Sequence, residues 1–280
     1  QDFKSFEARA KILWQPSALP GFEAKLTFSH KDTNRPTTEA ASLPYGDLES
    51  TTLGMPSWDQ RSNTTIADVS YEFDSGIRIV NQLQYTDLFT HRVAEPEANG
   101  GAFINLEDLS NETRVTFGDE DTQFSGVVGV FYSHISSDEL LYTRGESAFD
   151  DKKKSVGAFG EVTYRPTEQW ALTAGLRYQD DTIQRSGTTS FSPIPLDYDE
   201  SFHAWLPKLS VAYDVTPDIT VGGLVSKGYN PGGVNLSFAE AQFLSFDEET
   251  AMNYELFGRA ELLEGRMRVS GNLFYTKYSD

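Results

Sequence analysis

The chain has no cysteine among its 280 residues, which excludes disulfide scaffolds, thiolate metal sites and cysteine nucleophiles. It also has no run approaching eighteen consecutive apolar residues, so a transmembrane helix is excluded. Positive charge is scarce: 23 Lys and Arg stand against 42 Asp and Glu, a net charge of -19. Phosphate backbones need a basic surface, so we expect no nucleic acid partner.

Catalytic motifs are also missing. The sequence has no Gly-x-Ser-x-Gly elbow, no His-Glu-x-x-His pair, no phosphate loop and no glycine-rich dinucleotide fingerprint. The four histidines follow no metal-ligand spacing, and they are His30, His91, His134 and His203. We therefore expect no enzymatic activity, no metal site and no cofactor.

What the sequence does contain is a two-residue alternation in blocks of roughly ten residues. Leu172, Ala174 and Leu176, for example, alternate with Thr173, Gly175 and Arg177. Mean hydropathy is -0.44 because each apolar position is followed by a polar one. The alternation predicts about twelve strands, near residues 4–14, 21–29, 62–73, 77–89, 111–118, 123–134, 155–165, 172–179, 203–213, 219–229, 252–261 and 267–276.

The two faces of these segments differ in kind. The apolar face is small or aliphatic in mid-strand and ends in aromatic residues, as at Trp14, Tyr85 and Tyr178. An apolar band closed by aromatic rings suits a bilayer, because amphipathic rings sit well at headgroup level. The polar face carries full charges, and we predict that five of them face the lumen of a barrel: Lys25, Arg177, Lys208, Glu255 and Arg259.

The connections alternate between short and long. The short ones carry the Pro, Gly or Asp of tight turns, as in Asp74-Ser75-Gly76 and Leu263-Glu264-Gly265. The long ones cover roughly 31–61, 90–110, 135–154, 184–200 and 230–249. Short periplasmic turns and long extracellular loops are typical of a transmembrane β-barrel. A soluble sandwich or propeller is the alternative, but such a fold gives no reason for short and long connections to alternate along the chain.

From about residue 111 the sequence resembles the barrel of TonB-dependent receptors, the active uptake proteins of Gram-negative outer membranes. The resemblance rests on the order of several stretches rather than on one motif: Asn111-Glu112-Thr113-Arg114-Val115, Gly129-Val130-Phe131-Tyr132, Leu172-Thr173-Ala174-Gly175-Leu176-Arg177-Tyr178, Ser226-Lys227-Gly228-Tyr229-Asn230-Pro231-Gly232-Gly233-Val234-Asn235, Asn253-Tyr254-Glu255-Leu256 and Asn272-Leu273-Phe274-Tyr275. Asn111 and Thr113 depart from the usual Gln and Leu, and Arg259 stands where the family often has Lys.

The resemblance implies an all-β fold, an antiparallel barrel of about twenty-two strands whose lumen holds an N-terminal plug. Residues 1–280 are then expected to be a partial barrel domain of about twelve strands, without the plug and the C-terminal strands. A complete twelve-stranded barrel is the alternative. The implied localisation is the outer membrane of a Gram-negative bacterium. The implied partners are outer-membrane lipid and lipopolysaccharide, and the TonB energy-transducing system through the plug.

The function that the resemblance implies is active uptake of a scarce ligand, such as a ferric siderophore or another metal–siderophore complex. A passive porin is the alternative, and a plug encoded upstream of Gln1 would decide between them. Aromatic residues in the long connections are candidates for gripping a small ligand, although they could equally pack the loops together. These candidates are Tyr45, Trp58, Phe103, Tyr142, Phe191, Tyr198 and Phe243.

Overall fold

A computed structural model describes residues 3–36, 42–47, 57–143, 145–237 and 239–279. These residues form fourteen strands: β1 (Lys4–Trp14), β2 (Phe22–Pro36), β3 (Ser57–Glu72), β4 (Arg78–Val93), β5 (Asn99–Phe117), β6 (Phe124–Thr143), β7 (Glu146–Thr167), β8 (Trp170–Thr189), β9 (Ser192–Thr216), β10 (Ile219–Asn230), β11 (Gly233–Ser237), β12 (Gln242–Phe246), β13 (Glu249–Leu262) and β14 (Met267–Ser279). A 3-10 turn covers Tyr45–Asp47. Over these ranges, the model contains no helix with the length and apolar character needed to span a membrane.

Twelve of the strands form one antiparallel sheet in which each strand pairs with its neighbours in sequence, from β1 to β10 and then β13 and β14. This confirms the predicted strand count and the all-β antiparallel fold. The remaining two strands, β11 and β12, form a separate hairpin between β10 and β13. Within the chain the sheet has two edges, β1 and β14, so the barrel is not closed.

The sheet is a single layer with almost no interior. Among the described residues only five hydrophobic side chains are buried, three of them alanines. Large apolar side chains are exposed on one face instead: Leu176 is 47% exposed, Leu209 63% and Leu256 63%. A soluble domain buries such a face against a second layer. A single sheet with an exposed apolar face is stable where that face meets lipid, as in the wall of a membrane barrel.

Aromatic residues border this apolar face in two rows. The turn-side row lies at the short turns and includes the ring pairs Trp14–Phe22, Tyr71–Phe73, Phe124–Tyr164 and Trp170–Tyr213. The loop-side row lies further along the strands and includes Phe28, Tyr85, Tyr132, Tyr178, Trp205, Tyr254 and Tyr275. Trp170 and Tyr178 belong to one strand, eight residues apart, or about 26 Å along it. Tilting by about 40° reduces this to about 20 Å, comparable with the apolar band of outer-membrane barrels.

The long connections are mostly strand, which the sequence did not predict. Most of the expected loop at 135–154 belongs to β6, which ends at Thr143, and to β7, which begins at Glu146; the loop at 184–200 reduces to residues 190–191 between β8 and β9. The loop at 90–110 reduces to 94–98, and β11 and β12 occupy half of 230–249. Beyond the loop-side row both faces meet water, so the apolar alternation fades while backbone hydrogen bonds continue. Part of the loop at 31–61 lies outside the described residues.

Candidate functional site

The polar face of the sheet is crossed by side-chain pairs that join different strands. Lys25 Nζ lies 2.9 Å from Asp68 Oδ2, between β2 and β3, and Asp68 also accepts a hydrogen bond from Gln82 on β4. Lys208 Nζ on β9 lies 2.8 Å from Glu161 Oε2 on β7. These mid-strand charges are therefore partnered by side chains from other strands of the same face.

Arg177 lies between two rings on this face. Its Cζ is 5.5 Å from the centroid of Phe131 and 5.7 Å from that of Phe159, and its Nε donates to Gln179. Such cation–π contacts hold a guanidinium in place without consuming all its donors.

The five residues predicted to face a lumen all lie on this polar face. The strand register places Lys25 opposite Asp68. It places Lys208 opposite Gly175 on one side and Ser226 on the other. Arg259 donates to Thr220, and Glu255 accepts from Asn272. The structure therefore groups these residues on one side of the sheet, and their role in a lumen stays a prediction.

A buried carboxylate lies just beyond the loop-side row. Asp181 is 3% exposed and accepts hydrogen bonds from Ser155 on β7 and from Gln179 on its own strand. Because two donors satisfy it, Asp181 serves as a structural tie between β7 and β8 rather than as an open binding group.

A pocket of about 230 Å³ lies further from the turn side, where the β11–β12 hairpin packs over the polar face. Its apolar lining includes Leu141, Phe149, Phe191, Leu236 and Phe243. Phe243 of β12 meets Phe149 of β7 edge-on, with ring centroids 6.1 Å apart. We call this cavity the hairpin pocket.

Arg185 is the one charged side chain that lines the hairpin pocket. Its Nη2 lies 3.0 Å from Glu139 Oε2, and its Nη1 lies 3.2 Å from Asp151 Oδ1. Its Cζ lies 4.6 Å from the centroid of the Phe149 ring. The Arg185 guanidinium therefore contacts two carboxylates and one ring. The charges of Arg185, Glu139 and Asp151 sum to one negative charge.

Burial and ion pairing shift the pKa of the Asp151 carboxyl in opposite directions. Desolvation raises its pKa to about 6, because it outweighs the attraction of Arg185, and the charges of Glu139 and Asp150 add to the rise. Its Oδ2 is buried without a hydrogen-bond partner among the described residues. Beside the pocket, in contact with Arg185, lies a carboxyl that takes up a proton in the mildly acidic range.

The structure sorts the predicted ligand-contacting aromatics into three groups. Phe191 and Phe243 line the hairpin pocket, and Tyr198 faces the same side of the sheet, opposite Arg185 in the β8–β9 register. Trp58 faces the polar side on β3, with Arg92 Cζ 6.0 Å from its ring. Like Trp58, the other three residues do not line the pocket. Phe103 and Tyr142 alternate onto the opposite face of the sheet, and Tyr45 is 65% exposed in the 3-10 turn.

Phe103 has its own partner on that opposite face, the ring of His91, stacked at a centroid distance of 4.2 Å. Phe149 and Arg185, by contrast, are central to the hairpin pocket and were not predicted as site residues. Continuing the alternation of β8 from Arg177 would have placed Arg185 on the polar face. No local sequence pattern predicts the contact between Arg185 and Phe149.

The twelve-stranded sheet is similar to part of the wall of known barrel proteins. Residues 14–280 match the family model "TonB dependent receptor-like, beta-barrel". The structure is similar to the ferric yersiniabactin uptake receptor FyuA from Yersinia pestis (17% identity, TM-score 0.77) and the alcaligin outer membrane receptor FauA from Bordetella pertussis (16%, 0.77), covering 98% and 99% of this chain. It is also similar to the unliganded ferric citrate transporter FecA (14%, 0.77, covering 99%).

The chain spans 45%, 44% and 43% of the lengths of these three structures. At such identities the likeness shows a shared fold, an open part of a barrel wall. The match of the family model over nearly all of the chain goes further: this chain belongs to the TonB-dependent receptor family, as part of its β-barrel domain.

Proposed function

We propose that the chain is part of the wall of an outer-membrane active-uptake receptor of a Gram-negative bacterium, and that the receptor imports a ferric siderophore or a similar scarce metal complex. The observation that carries the proposal is the hairpin pocket, a cavity on the polar side beyond the loop-side row. A small ligand captured there stands at the entrance of the path along the polar face. The apolar face meets membrane lipid, and its loop-side border meets lipopolysaccharide.

The wall residues support a path filled by a protein plug. Lys25, Arg177, Lys208, Glu255 and Arg259 carry hydrogen-bonding groups at successive positions across the sheet. In this proposal they contact an N-terminal plug domain, and the TonB system supplies energy through that plug. The 1–280 segment is then one part of the barrel domain.

A passive porin is the second candidate, and the β11–β12 hairpin bears on it, since a loop folded into the lumen is expected of a porin. Phe243 of the hairpin contacts Phe149 of β7, and Gly232, which precedes β11, lies close to the Phe202 ring of β9. Both lie beyond Tyr178 of the loop-side row along their strands. The hairpin therefore covers the entrance rather than the membrane-spanning part, which favours the receptor.

The deciding experiment measures uptake of radioactive iron by cells that carry the full-length protein and lack other iron receptors. Iron is supplied as a ferric trihydroxamate, with and without a functional TonB system. We expect accumulation that stops when TonB is deleted or the proton gradient is collapsed. Accumulation that persists unchanged under both conditions would identify a porin instead.

A further inference from the structure

Arg177 differs from two lysines of the polar face in having no acidic partner. Lys25 lies 2.9 Å from Asp68. Lys208 lies 2.8 Å from Glu161. No carboxylate of the described residues forms an ion pair with Arg177. Its positive charge is therefore unpaired within the described part of the sheet.

Side chains of three strands fix the position of the Arg177 guanidinium. The group extends over β7, where a Cβ at Gly157 would lie 2.8 Å from Arg177 Nη2, so the missing side chain makes room for it. The ring of Phe159 on β7 and that of Phe131 on β6 lie with their centroids 5.7 and 5.5 Å from Arg177 Cζ. The Nε–H group donates to Gln179 on β8 at 2.9 Å. The guanidinium is therefore held from β6, β7 and β8 together.

This support leaves the two terminal nitrogens of Arg177 for another group. A guanidinium has five N–H donors and no acceptor. Gln179 accepts from Nε, and no described residue accepts from Nη1 or Nη2. The two rings displace water from the cation while leaving its donors unbonded. Nη1 and Nη2 form a planar fork whose geometry matches the two oxygens of a carboxylate.

The acids that flank Arg177 on the polar face already have other partners. Glu161, on the turn side of Arg177, contacts Lys208 at 2.8 Å. Asp181, four residues further along β8, is 3% exposed and accepts two hydrogen bonds. Moving either carboxylate onto Arg177 would break those contacts. A carboxylate that binds Arg177 is therefore expected to come from outside the sheet.

We propose that Arg177 is a binding site for a carboxylate from outside the sheet, held through Nη1 and Nη2. Arg177 adjoins Tyr178 of the loop-side row, so the site lies at the loop-side end of the membrane-spanning part of the polar face. Two sources share this chemistry: an Asp or Glu side chain of the domain that fills the lumen, and a carboxylate of the imported complex. The inference rests on the proposed function, because it takes the polar face as the wall of a filled lumen.

The test uses the purified full-length receptor carrying Arg177→Lys and a water-soluble carbodiimide, which joins an amine to a carboxylate in direct contact with it. The substitution keeps the positive charge and adds a group that the reagent can join, whereas the native guanidinium does not react. Mass spectrometry of the digest identifies what is joined to position 177. Without ligand, we expect a link to an Asp or Glu outside residues 1–280.

A second arm identifies the source of the carboxylate. The same variant is treated with the reagent in the presence of ferric citrate. A citrate adduct at position 177, formed without a matching adduct at Lys154 on the opposite face of the sheet, would assign the carboxylate to the imported complex. A protein link that is unchanged by ferric citrate would assign it to the domain in the lumen. Either result supports the site at Arg177.

The native lysines provide the control. Lys208 Nζ lies 2.8 Å from Glu161 Oε2, so a link between them should form in the native receptor and in the variant. That link shows that the sheet is folded and that the reagent reaches its polar face. If it forms while position 177 joins no carboxylate, or joins only Glu161 or Asp181 of the sheet, the inference is overturned.

Failure of this inference is distinguishable from failure of the proposed function. If cells accumulate iron in a TonB-dependent way but position 177 joins no outside carboxylate, the inference fails and the proposed function stands. If position 177 joins an outside carboxylate but no TonB-dependent accumulation occurs, the carboxylate site stands and the proposed function fails.

Discussion

Lys208 and Glu161 form an ion pair across an intervening strand: Lys208 is on β9, Glu161 is on β7, and their charged atoms meet at 2.8 Å above β8. The residue of β8 beneath them, paired with both, is Gly175. A Cβ at Gly175 would lie 3.2 Å from Glu161 Oε2. The absence of a side chain at Gly175 is therefore what lets two non-adjacent strands share a salt bridge.

The first prediction concerns the space that the missing side chain leaves at Gly175. Gly175→Val should displace the Glu161 carboxylate and break the pair. Both side chains are more than a third exposed, so the loss should be small, at most about 1 kcal/mol. Thermal denaturation of the full-length receptor measures it. Gly271→Ala on β14 is the control, since a Cβ there meets nothing within 4 Å, and a larger effect in the control would contradict this account.

The second prediction compares two neighbouring glycines of β10. A Cβ at Gly222 would collide with the Phe257 ring and approach the Val211 carbonyl oxygen to 2.6 Å, whereas one at Gly223 would contact Leu256 Cδ2 at 3.4 Å. Because a backbone oxygen cannot swing aside, Gly222→Ala should destabilise by about 1–3 kcal/mol. Gly223→Ala should be close to neutral by the same thermal assay. Equal effects would show that the packing around Gly222 relaxes.

The third prediction tests the hairpin pocket as the ligand site. Phe243→Ala removes a ring that lines the pocket and contacts Phe149. Affinity for the ferric trihydroxamate should fall by roughly tenfold, the cost of losing one buried aromatic contact. Phe103→Ala truncates an aromatic on the opposite face of the sheet, stacked on His91, and should bind as the native receptor does. Equal losses in the two variants would place the ligand elsewhere.

The fourth prediction is a pH dependence centred on Asp151. Its pKa in the folded protein is about 6, above the ordinary value of 3.8, so the folded state binds the proton more tightly than the unfolded state. This group therefore adds stability as the pH falls from about 6 towards 3.8, and that contribution is lost as the pH rises through 6. A shift of about two pKa units corresponds to at most about 3 kcal/mol.

Replacing Asp151 by Asn removes the cost of holding a desolvated charge. The melting temperature of Asp151→Asn should exceed that of the native receptor at pH 7.5, and the difference should shrink as the pH approaches 4.5. The measurement is the difference between the two melting curves at each pH, which cancels the other titrating groups. A difference that stays constant with pH would mean that Asp151 does not titrate in this window.

The fold between the two aromatic rows follows from the sequence. There, one face meets lipid and the other meets polar groups, so Leu172, Ala174 and Leu176 mark one side and Arg177 the other. The strand count and the grouping of Lys25, Arg177 and Lys208 on one face followed from this alternation. Beyond the loop-side row the solvent is the same on both sides, and stretches such as Thr182-Ile183-Gln184 continue a strand without an amphipathic signature.

The hairpin pocket was only partly predictable for a related reason. Aromatic composition identified Phe191 and Phe243, but it could not separate them from Phe103, because the face of a residue depends on strand register. Arg185 meets Asp151 only because the β7–β8 pairing sets them opposite one another, 34 positions apart in the chain. Contacts of that kind depend on which strands align and where, and no local pattern specifies them.

The strands stay paired beyond the loop-side row. Backbone pairing of β6 with β7 extends to Tyr142 and Glu146, and that of β8 with β9 to Thr189 and Ser192. The spacing of these strands is consequently set by the same pairing as in the wall below them. The small β11–β12 sheet shares no strand pairing with that wall, so its position depends on side-chain packing, such as the contact between Phe243 and Phe149.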